Sequence, residues 1–231
     1  MSSTQTTQVP IKLSFESIDD LIYDARSGDL DALKTDIASL SKQHDCSESL
    51  IVASAIDMEP ESEGGTGSCL LHFPAANGNL EILSYLLQIL YSSSEFSAKK
   101  SIVNHGNHSG NTPLHWAALN THLECVKALV AAGADISIKN DAGHDAVFLA
   151  ERTAWTAEGE GDETQEQKEQ DESEGGEEDK GKISPGRAVV EWLLGCEKGD
   201  SLETSARDGS ESASAFGNAS GEAMDGVEET K

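Results

Sequence analysis

Histidines are the residues of this chain best suited to chemistry. His105 and His108 lie three positions apart, a spacing that could hold a metal ion or supply a general base. No carboxylate or cysteine stands at ligand spacing from them, so we interpret them as surface-loop histidines; a hydrolase centred on this pair is the weaker alternative. His72 and His115 occupy the same position in two similar segments, and we expect each imidazole to bond the backbone of a loop.

Other motifs do not complete a catalytic site. The glycine-rich stretch Gly64–Ser68 lacks the lysine of a phosphate-binding loop and is interpreted as a linker. The four cysteines, Cys46, Cys69, Cys125 and Cys196, form no C-x-x-C pair, which favours reduced thiols. No Ser/His/Asp or Cys/His arrangement can be argued from spacing. The sequence therefore predicts a non-enzymatic protein with no catalytic residue, cofactor or metal.

Charge narrows the class of partner. The formal net charge is -26, and residues 158–180 contain twelve acidic residues against two lysines. Such an acidic chain favours a basic partner and disfavours direct contact with nucleic acid. No apolar run reaches the roughly 18 residues that a membrane span needs, and no signal-peptide pattern is visible. We expect a soluble protein of the cytoplasm and nucleus that does not bind membranes.

The elements that position these residues are repeats. The stretch Gly110–Gly143 restarts after 33 residues, a period typical of stacked helix-turn-helix units. Thr112 is placed to cap the first helix of this unit, with Pro113 at its first helical position. The small residues Ala117 and Ala118 would let a neighbouring unit approach closely. We therefore predict an all-α solenoid of about four helix-turn-helix repeats.

The flanking repeats depart from this pattern. In the first, Asp19 is expected to cap a helix that begins near Ser17, and Gly28 to end it in a left-handed conformation. In the second, Pro74 is expected to distort the first helix as its fifth residue. In the fourth repeat, the repeat pattern is expected to end after Trp155.

The sequence predicts five regions. Residues 1–14 form a disordered N-terminus, and residues 15–155 hold repeats 1–4 with loop insertions near 45–67 and 92–109. The second half of the first insertion is interpreted as flexible. Residues 156–183 are an acidic disordered insertion, residues 184–195 the final helix of the last repeat, and residues 196–231 a disordered acidic tail. In the final helix, apolar residues are expected to cap the stack: Val189, Val190, Trp192, Leu193 and Leu194.

A family resemblance follows from these residues. T-P-L-H-W-A-A (Thr112–Ala118) resembles the ankyrin-repeat signature, which makes the solenoid an ankyrin-repeat solenoid with a disordered acidic insertion and tail. L-I-Y-D-A-R-S-G-D-L-D-A-L-K (Leu21–Lys34), G-N-T-P-L-H-W-A-A-L-N (Gly110–Asn120) and G-H-D-A-V-F-L-A-E (Gly143–Glu151) are similar to the small fungal ankyrin-repeat chaperones dedicated to ribosomal protein S3 of the small subunit.

The resemblance implies a function. A member of that family would bind the basic N-terminal segment of newly made ribosomal protein S3, keep it soluble and aid its nuclear delivery for 40S assembly. We expect a monomer that forms a 1:1 complex or binds a client dimer. The tethered acidic segment, residues 158–180, would then shield the client's positive charge. The alternative is a generic ankyrin-repeat adaptor in signalling, transcription or protein degradation.

The predicted binding surface follows from ankyrin geometry, in which loop fingers and the exposed face of the first helices form one concave surface. Trp116 is its strongest candidate as a partner anchor; the alternative is that Trp116 packs against Phe148 or Phe73. The full set of predicted partner-binding residues is Asp20, Asp24, Arg26, Ser27, Asn77, Asn107, His108, Asn111, Trp116, Asn120, Asp141, His144, Glu151 and Arg152.

Overall fold

Helices make up nearly all of the regular structure. The computed structural model describes residues 11–92, 96–159 and 184–205, and none of the helices in these ranges is long and apolar enough to cross a membrane. The described helices are α1 (Phe15–Ser27), α2 (Leu30–Gln43), α3 (Glu48–Ser54), α4 (His72–Asn77), α5 (Leu80–Ser92), α6 (Phe96–Val103), α7 (Pro113–Leu119), α8 (Leu123–Ala131), α9 (Ala146–Gly159) and α10 (Pro185–Ser205).

The first helices of the four repeats stack in one row. Helices α1, α4, α7 and α9 pack consecutively, and α8 packs on α5 behind them. Ala25, Ala75 and Ala118 occupy equivalent positions in the first three repeats, and none of them is exposed. Since alanine adds only one methyl group, the helix backbones can lie close together. The predicted all-α repeat solenoid is confirmed.

The helix ends of the first three repeats can be compared with the sequence. Thr112 has extended backbone angles at the N-cap of α7, and Pro113 is the first helical residue. Gly28 ends α1 at φ +84°, as its position predicted, and Gly78 ends α4 at φ +72°. The equivalent residue of the third repeat is Thr121, which is held at φ +59°. A β-branched residue is strained in this left-handed region.

The first helix begins earlier than predicted. Ser14 is its N-cap, with φ -72° and ψ 153°, and Ser14 Oγ accepts a hydrogen bond from the Ser17 backbone N–H at 3.2 Å. Asp19 therefore lies inside α1, and the expectation that it caps the helix is wrong. Ser14 caps the helix because the segment before it is fixed to the core. Leu13 is buried there, and the Ile11 N–H donates a hydrogen bond to Ser54 Oγ.

Pro74 is accommodated by a shorter helix. Helix α4 begins at His72, so Pro74 is its third residue and not the fifth. The turn before the helix is tight, with the His72 N–H donating to the Cys69 carbonyl at 3.1 Å. A proline in the first helical turn removes an N–H that has no intrahelical partner there. The predicted distortion is thus confined to a late helix start.

The first insertion is ordered, which corrects the expectation of a flexible second half. It contains α3, which packs against both α2 and α5, and a short 3-10 helix, Glu61–Glu63. The Asp57 carboxylate closes the loop by accepting hydrogen bonds from Thr66 N–H (2.6 Å) and Thr66 Oγ1 (2.7 Å). This closure joins residues nine positions apart, which no local pattern reveals.

The second insertion contains a helix as well. Within residues 92–109, α6 places Ile102 and Val103 in the core. Asn104 follows α6 and links it to the third repeat, because its amide donates to the Gly133 carbonyl at 3.1 Å and accepts from the Asp135 N–H at 2.7 Å. The connection is therefore part of the stack.

The fourth repeat extends further than predicted at both helices. Helix α9 continues through Trp155 to Gly159, so residues 156–159 belong to a helix. Helix α10 runs to Ser205, ten residues beyond the predicted end at Gly195. Disorder was predicted for residues 1–14, 156–183 and 196–231; residues 11–14 are described and lead into α1, while residues 1–10, 160–183 and 206–231 lie outside the described residues. The chain divides into two compact units, residues 1–195, which contain the repeats, and residues 196–231.

Most of the predicted cap residues pack as expected. Val189 and Leu193 are fully buried, while Val190 and Trp192 are partly buried against the core. Leu194 is 36% exposed and does not belong to this contact. The apolar face of α10 is therefore narrower than the sequence suggested.

Relieving the strain at Thr121 tests the fold. We expect Thr121→Gly to raise the free energy of unfolding by about 0.5–1 kcal/mol, because removing the Cβ relieves left-handed strain of about 1–2 kcal/mol against a smaller entropic loss. Urea unfolding measures the change. Thr121→Ala keeps the Cβ and should bring little or no gain; equal stabilisation by both variants would contradict the explanation.

Candidate protein-binding surface

Two buried histidines join successive repeats. The Nδ1 atoms of His72 and His115 accept hydrogen bonds from the backbone N–H groups of Cys69 and Thr112, both at 3.1 Å. Each Nε2 therefore carries the proton and donates to a loop carbonyl of the next repeat, Asn111 at 2.9 Å for His72 and His144 at 3.1 Å for His115. Burial lowers the pKa of His72 to about 4 and lowers that of His115 as well. The structural interpretation of both histidines is confirmed.

A second set of side chains links the repeats at the other end of the first helices. Asn77, Asn120 and Thr153 occupy equivalent positions, and each donates to a carbonyl of the preceding repeat. Their acceptors are the carbonyls of Arg26 (3.1 Å), Ala76 (2.6 Å) and Leu119 (2.8 Å). Asn77 and Asn120 were predicted to bind a partner, but in this structure their amide donors hold the stack together.

The loop fingers are also built from predicted binding residues. Asn107 Oδ1 accepts from the N–H groups of Ser109 (3.0 Å) and Asn111 (2.9 Å). The Asn111 side-chain oxygen in turn accepts from the Asn140 amide at 2.7 Å. The Asp141 N–H donates to the Ser109 carbonyl at 3.1 Å, which joins neighbouring fingertips and leaves the Asp141 side chain exposed. These polar groups shape the fingers, and Asp141 is the one that faces solvent.

The two loop histidines anchor the first insertion. His105 Nε2 lies 2.9 Å from the Gly67 carbonyl oxygen, and His108 Nδ1 lies 3.1 Å from that of Gly65. The His108 N–H also donates to the Thr66 carbonyl at 2.9 Å. His108, a predicted binding residue, thus fixes the ordered acidic loop beside the fingers. In the described part of the chain no group of three or more His, Cys, Asp or Glu side chains is arranged to hold a metal ion.

An apolar row runs along the first helices. Tyr23, Phe73, Trp116 and Leu149 occupy the same position in repeats one to four. Tyr23 is 71% exposed, Phe73 and Trp116 are half-buried, and Leu149 is buried. We call these four residues, three of which are aromatic, the aromatic row. Only Trp116 was predicted from the sequence in this role, although the aligned repeats place the other three residues at the same position.

Trp116 lies at the edge of a groove between α7 and α9, with a volume of about 240 Å³. Ring stacking in the described structure pairs His144 with Phe148, whose centroids are 4.0 Å apart, and does not pair Trp116 with Phe148 or Phe73. Since Trp116 is half-buried and lines the groove, part of its side chain is accessible to a partner. The groove is lined by Asn111, His115, Trp116, Leu119, Asn140, Ala142, His144, Leu149 and Arg152.

The remaining predicted residues lie in different places. The Arg26 guanidinium lies over the Phe73 ring, 5.9 Å from its centroid, and Ser27 Oγ donates to a carbonyl of its own helix. Glu151 and Arg152 are exposed on α9. Asp20 lines a cleft between α1 and α2. The structure thus brings Arg26 and Trp116 to the aromatic row, and Asp20 also lines a surface pocket with Tyr23 and Arg26.

Asp24 is buried, unlike the other predicted binding residues that are charged. The residue is 8% exposed, and no hydrogen-bond donor reaches Oδ2. Burial raises the pKa of Asp24 to about 6, and the nearby carboxylates of Asp36, Asp29 and Asp20 add to this effect. The position of Asp24 excludes direct contact between its Oδ2 atom and a partner on the concave surface.

Comparison with known proteins gives consistent matches. The family model of ankyrin repeats (3 copies) matches residues 35–140. The ankyrin repeat-containing protein YAR1 of Saccharomyces cerevisiae is 36% identical over 142 residues, which cover 61% of this chain and 65% of the yeast protein. The nuclear factor NF-kappa-B p105 subunit of Rattus norvegicus is 31% identical over 127 residues, 55% of this chain and 12% of the rat protein.

A solved structure matches as well. It is the crystal structure of the yeast ribosomal protein Rps3 in complex with its chaperone Yar1. The match has 36% sequence identity and a TM-score of 0.55, and it covers 63% of this chain and 90% of the matched chain.

The buried neutral imidazole predicts a pH effect on stability. Because the pKa of His72 is about 4 in the fold and near 6.5 when unfolded, the unfolded state binds more protons as pH falls below 6.5. We expect the stability advantage of the wild type over His72→Gln to shrink by about 1.5 kcal/mol between pH 6.5 and pH 5. Urea unfolding at each pH measures it; a constant advantage would contradict the neutral bridging role.

Asp24 predicts the opposite trend. Its pKa is raised from 3.8 to about 6 in the fold, so its contribution to stability is favourable below pH 3.8 and is lost as pH rises through 6. Asp24→Asn should therefore increase the free energy of unfolding at pH 7.5 by about 1–2 kcal/mol, with no gain near pH 4. Asp31→Asn, at an exposed acid of α2, is the control and should not stabilise. A loss of stability in Asp24→Asn at pH 7.5 would refute the unfavourable burial.

Proposed function

Since the chain belongs to the family of ankyrin-repeat proteins that includes yeast Yar1, we propose that it is a dedicated chaperone of ribosomal protein S3. It binds the basic N-terminal segment of the newly made protein, keeps it soluble and aids its delivery to the nucleus for 40S assembly. It acts in the cytoplasm and nucleus, as a monomer in a 1:1 complex or with a client dimer, and without catalysis. The observation that carries the proposal is the similarity to the chain crystallised with Rps3.

The aromatic row supplies the apolar part of the binding surface. Tyr23, Phe73 and Trp116 lie on three adjacent first helices and keep part of their rings accessible. Aromatic side chains contribute large contact areas and are common anchors in protein interfaces. A client helix with apolar residues on one face can bury them against this row. The contact removes apolar surface of the client that would otherwise drive its aggregation.

The charge of the chain supplies the second part. With a formal net charge of -26, the chaperone attracts a basic client and lowers its affinity for nucleic acid during transport. The acidic segment, residues 158–180, contributes to this attraction as a tethered polyanion; it lies largely outside the described residues, so its role rests on composition and tether. Apolar contacts thus determine where the client segment binds along the aromatic row. Charge raises the rate at which client and chaperone associate and shields the client's positive charge from nucleic acid.

Truncating the central aromatic residue tests the binding surface. Trp116→Ala should weaken binding of a peptide that spans the N-terminal segment of S3 at least tenfold, about 1.4 kcal/mol or more, because the anchor loses most of its contact area. Calorimetric titration in moderate salt measures the dissociation constant. Leu194→Ala, at a partly exposed apolar residue of α10, is the control and should bind normally.

Both variants must first show cooperative urea unfolding. Equal affinity of Trp116→Ala and the wild type would overturn the role of the aromatic row.

Pull-down of endogenous partners distinguishes the chaperone from a generic adaptor, because recovery of one dominant small-subunit ribosomal protein supports the chaperone. A spread of regulatory proteins without S3 would overturn the chaperone proposal itself.

A further inference from the structure

A serine-proline pair precedes the last helix of the repeat stack. Ser184 is followed by Pro185, and Arg187 lies three positions after the serine, in the sequence S-P-G-R. Among the five prolines of the chain, one other follows a hydroxyl residue, Pro113 after Thr112. Serine, proline, any residue and then a base is the pattern that cyclin-dependent kinases select. A substrate pocket without a hydrogen-bond acceptor favours proline because proline has no N–H, and acidic groups of the kinase attract the base.

The residues that such a kinase recognises are accessible. Pro185 and Arg187 are exposed and Ser184 is half-buried; the Arg187 side chain is 63% exposed. Thr112 and Pro113, in contrast, are both buried, and Thr112 is only 1% exposed. The buried pair is therefore explained by the packing of α7, whereas the pair at Ser184 lies where an enzyme can reach it.

Helix capping alone does not explain the base in this motif. Ser184 caps α10, since its Oγ accepts a hydrogen bond from the Arg187 backbone N–H at 3.3 Å. A capping box places Glu or Gln at the third helical position, where a negative charge also suits the positive end of the helix dipole. Arg187 occupies that position, and the first turn of α10 contains no acid. A base is unfavourable there for the unmodified helix, and it becomes favourable once the serine carries a phosphate.

The charge of the surrounding sequence changes sign at this point. Residues 180–187 contain three bases, Lys180, Lys182 and Arg187, and no acid, although the net charge of the whole chain is -26. The acidic segment, residues 158–180, comes directly before them. A phosphate on Ser184 would thus have bases on both sides in the sequence, and their charge offsets part of its own.

We propose that Ser184 is a phosphorylation site for a proline-directed kinase that selects a base three positions after the serine. The kinase transfers the γ-phosphoryl group of ATP to Ser184 Oγ. The bond to the β-phosphate oxygen breaks, the bond from Oγ to phosphorus forms, the hydroxyl proton passes to the catalytic carboxylate of the kinase, and ADP leaves. The proposal does not depend on which client occupies the concave surface.

The modification falls where the last helix closes the stack. A Cβ atom at Gly186 would lie 3.0 Å from Ala154, so the first turn of α10 packs directly on α9. The Ala188 N–H also donates to the Ser184 carbonyl at 2.9 Å. A kinase that binds its substrate in an extended conformation has to open this turn. The phosphate then adds about -1.5 to -2 charge at the positive end of α10, which favours the closed helix.

Phosphorylation of Ser184 can be identified without ambiguity in the full chain. The chain is incubated with ATP and a cyclin-dependent kinase, digested with trypsin and analysed by mass spectrometry. Cleavage after Lys182 and Arg187 releases the peptide I-S-P-G-R, in which Ser184 is the only hydroxyl residue. We expect one phosphate on this peptide. The chain isolated from its own growing cells, with phosphatases inhibited, should give the same phosphorylated peptide.

Matched variants test the role of the base. Arg187→Gln should lower the initial rate of phosphorylation about tenfold or more, whereas Arg187→Lys keeps the charge and should lower it by about threefold at most. The tryptic peptide of Arg187→Gln runs from Ile183 to Lys198 and again contains Ser184 as its only hydroxyl residue. Equal rates for Arg187→Gln and the wild type would overturn the proposal. So would an unmodified full chain under conditions in which a synthetic peptide of residues 178–192 is phosphorylated, or an unmodified chain from cells.

Hydrogen exchange tests the effect on the helix. After complete phosphorylation, backbone amide exchange in the first two turns of α10 should slow by about twofold to fivefold, because the phosphate stabilises the N-terminal end of the helix. Ser184→Ala, which lacks both the cap and the modified hydroxyl, should exchange faster than the unmodified wild type. Unchanged or faster exchange after phosphorylation would contradict the stabilising effect on α10.

Discussion

The stack depends on imidazole rings that stay neutral. His72 and His115 each accept a hydrogen bond from the backbone just before their own helix and donate one to the loop of the next repeat. A protonated ring would lose the acceptor and place a charge in the interior, where burial opposes it. Asparagine and threonine side chains repeat this linkage at the other helix end. Most polar groups of the inner face are therefore already committed to holding the repeats together.

This commitment determines what the concave surface can offer a partner. Four asparagine side chains of this surface already form hydrogen bonds within the fold: Asn77, Asn107, Asn111 and Asn120. The aromatic row is therefore the main part of the surface that can still contact a partner. Exposure along the row falls from Tyr23 through Phe73 and Trp116 to the buried Leu149. The apolar surface is thus concentrated on the first three repeats. A segment that binds there would lie across α1, α4 and α7, with the acidic segment tethered in the fourth repeat, between α9 and α10 in the chain.

Repetition explains how much of the molecule could be predicted from the sequence. Gly28, Thr112 and Pro113 act through their own backbone and their immediate neighbours, so a single unit was enough to assign them. Interactions across distant residues could not be assigned this way. The closure of Asp57 on Thr66 and the contact of His108 with Gly65 turn an apparently flexible loop into an ordered one. Asp24 was predicted only as a partner-binding acid, and the packing of α1 on α2 shows that it is buried.

The two ends of the stack differ in how the outer face of the terminal repeat is covered. At the C-terminal end, α10 returns after the acidic insertion and buries Val189 and Leu193, so apolar surface closes the last repeat. At the N-terminal end the position that would face another repeat carries Asp24, beside Asp20 and Asp36. A polar outer face prevents a terminal repeat from stacking on a second molecule. Exposed acids alone would achieve this, so solubility does not account for the buried and unpartnered carboxyl of Asp24. The buried carboxyl of Asp24 is therefore a cost to the folded state at neutral pH that capping the stack does not require, since Pro74, Ala117 and Ala150 occupy the equivalent positions of the other repeats.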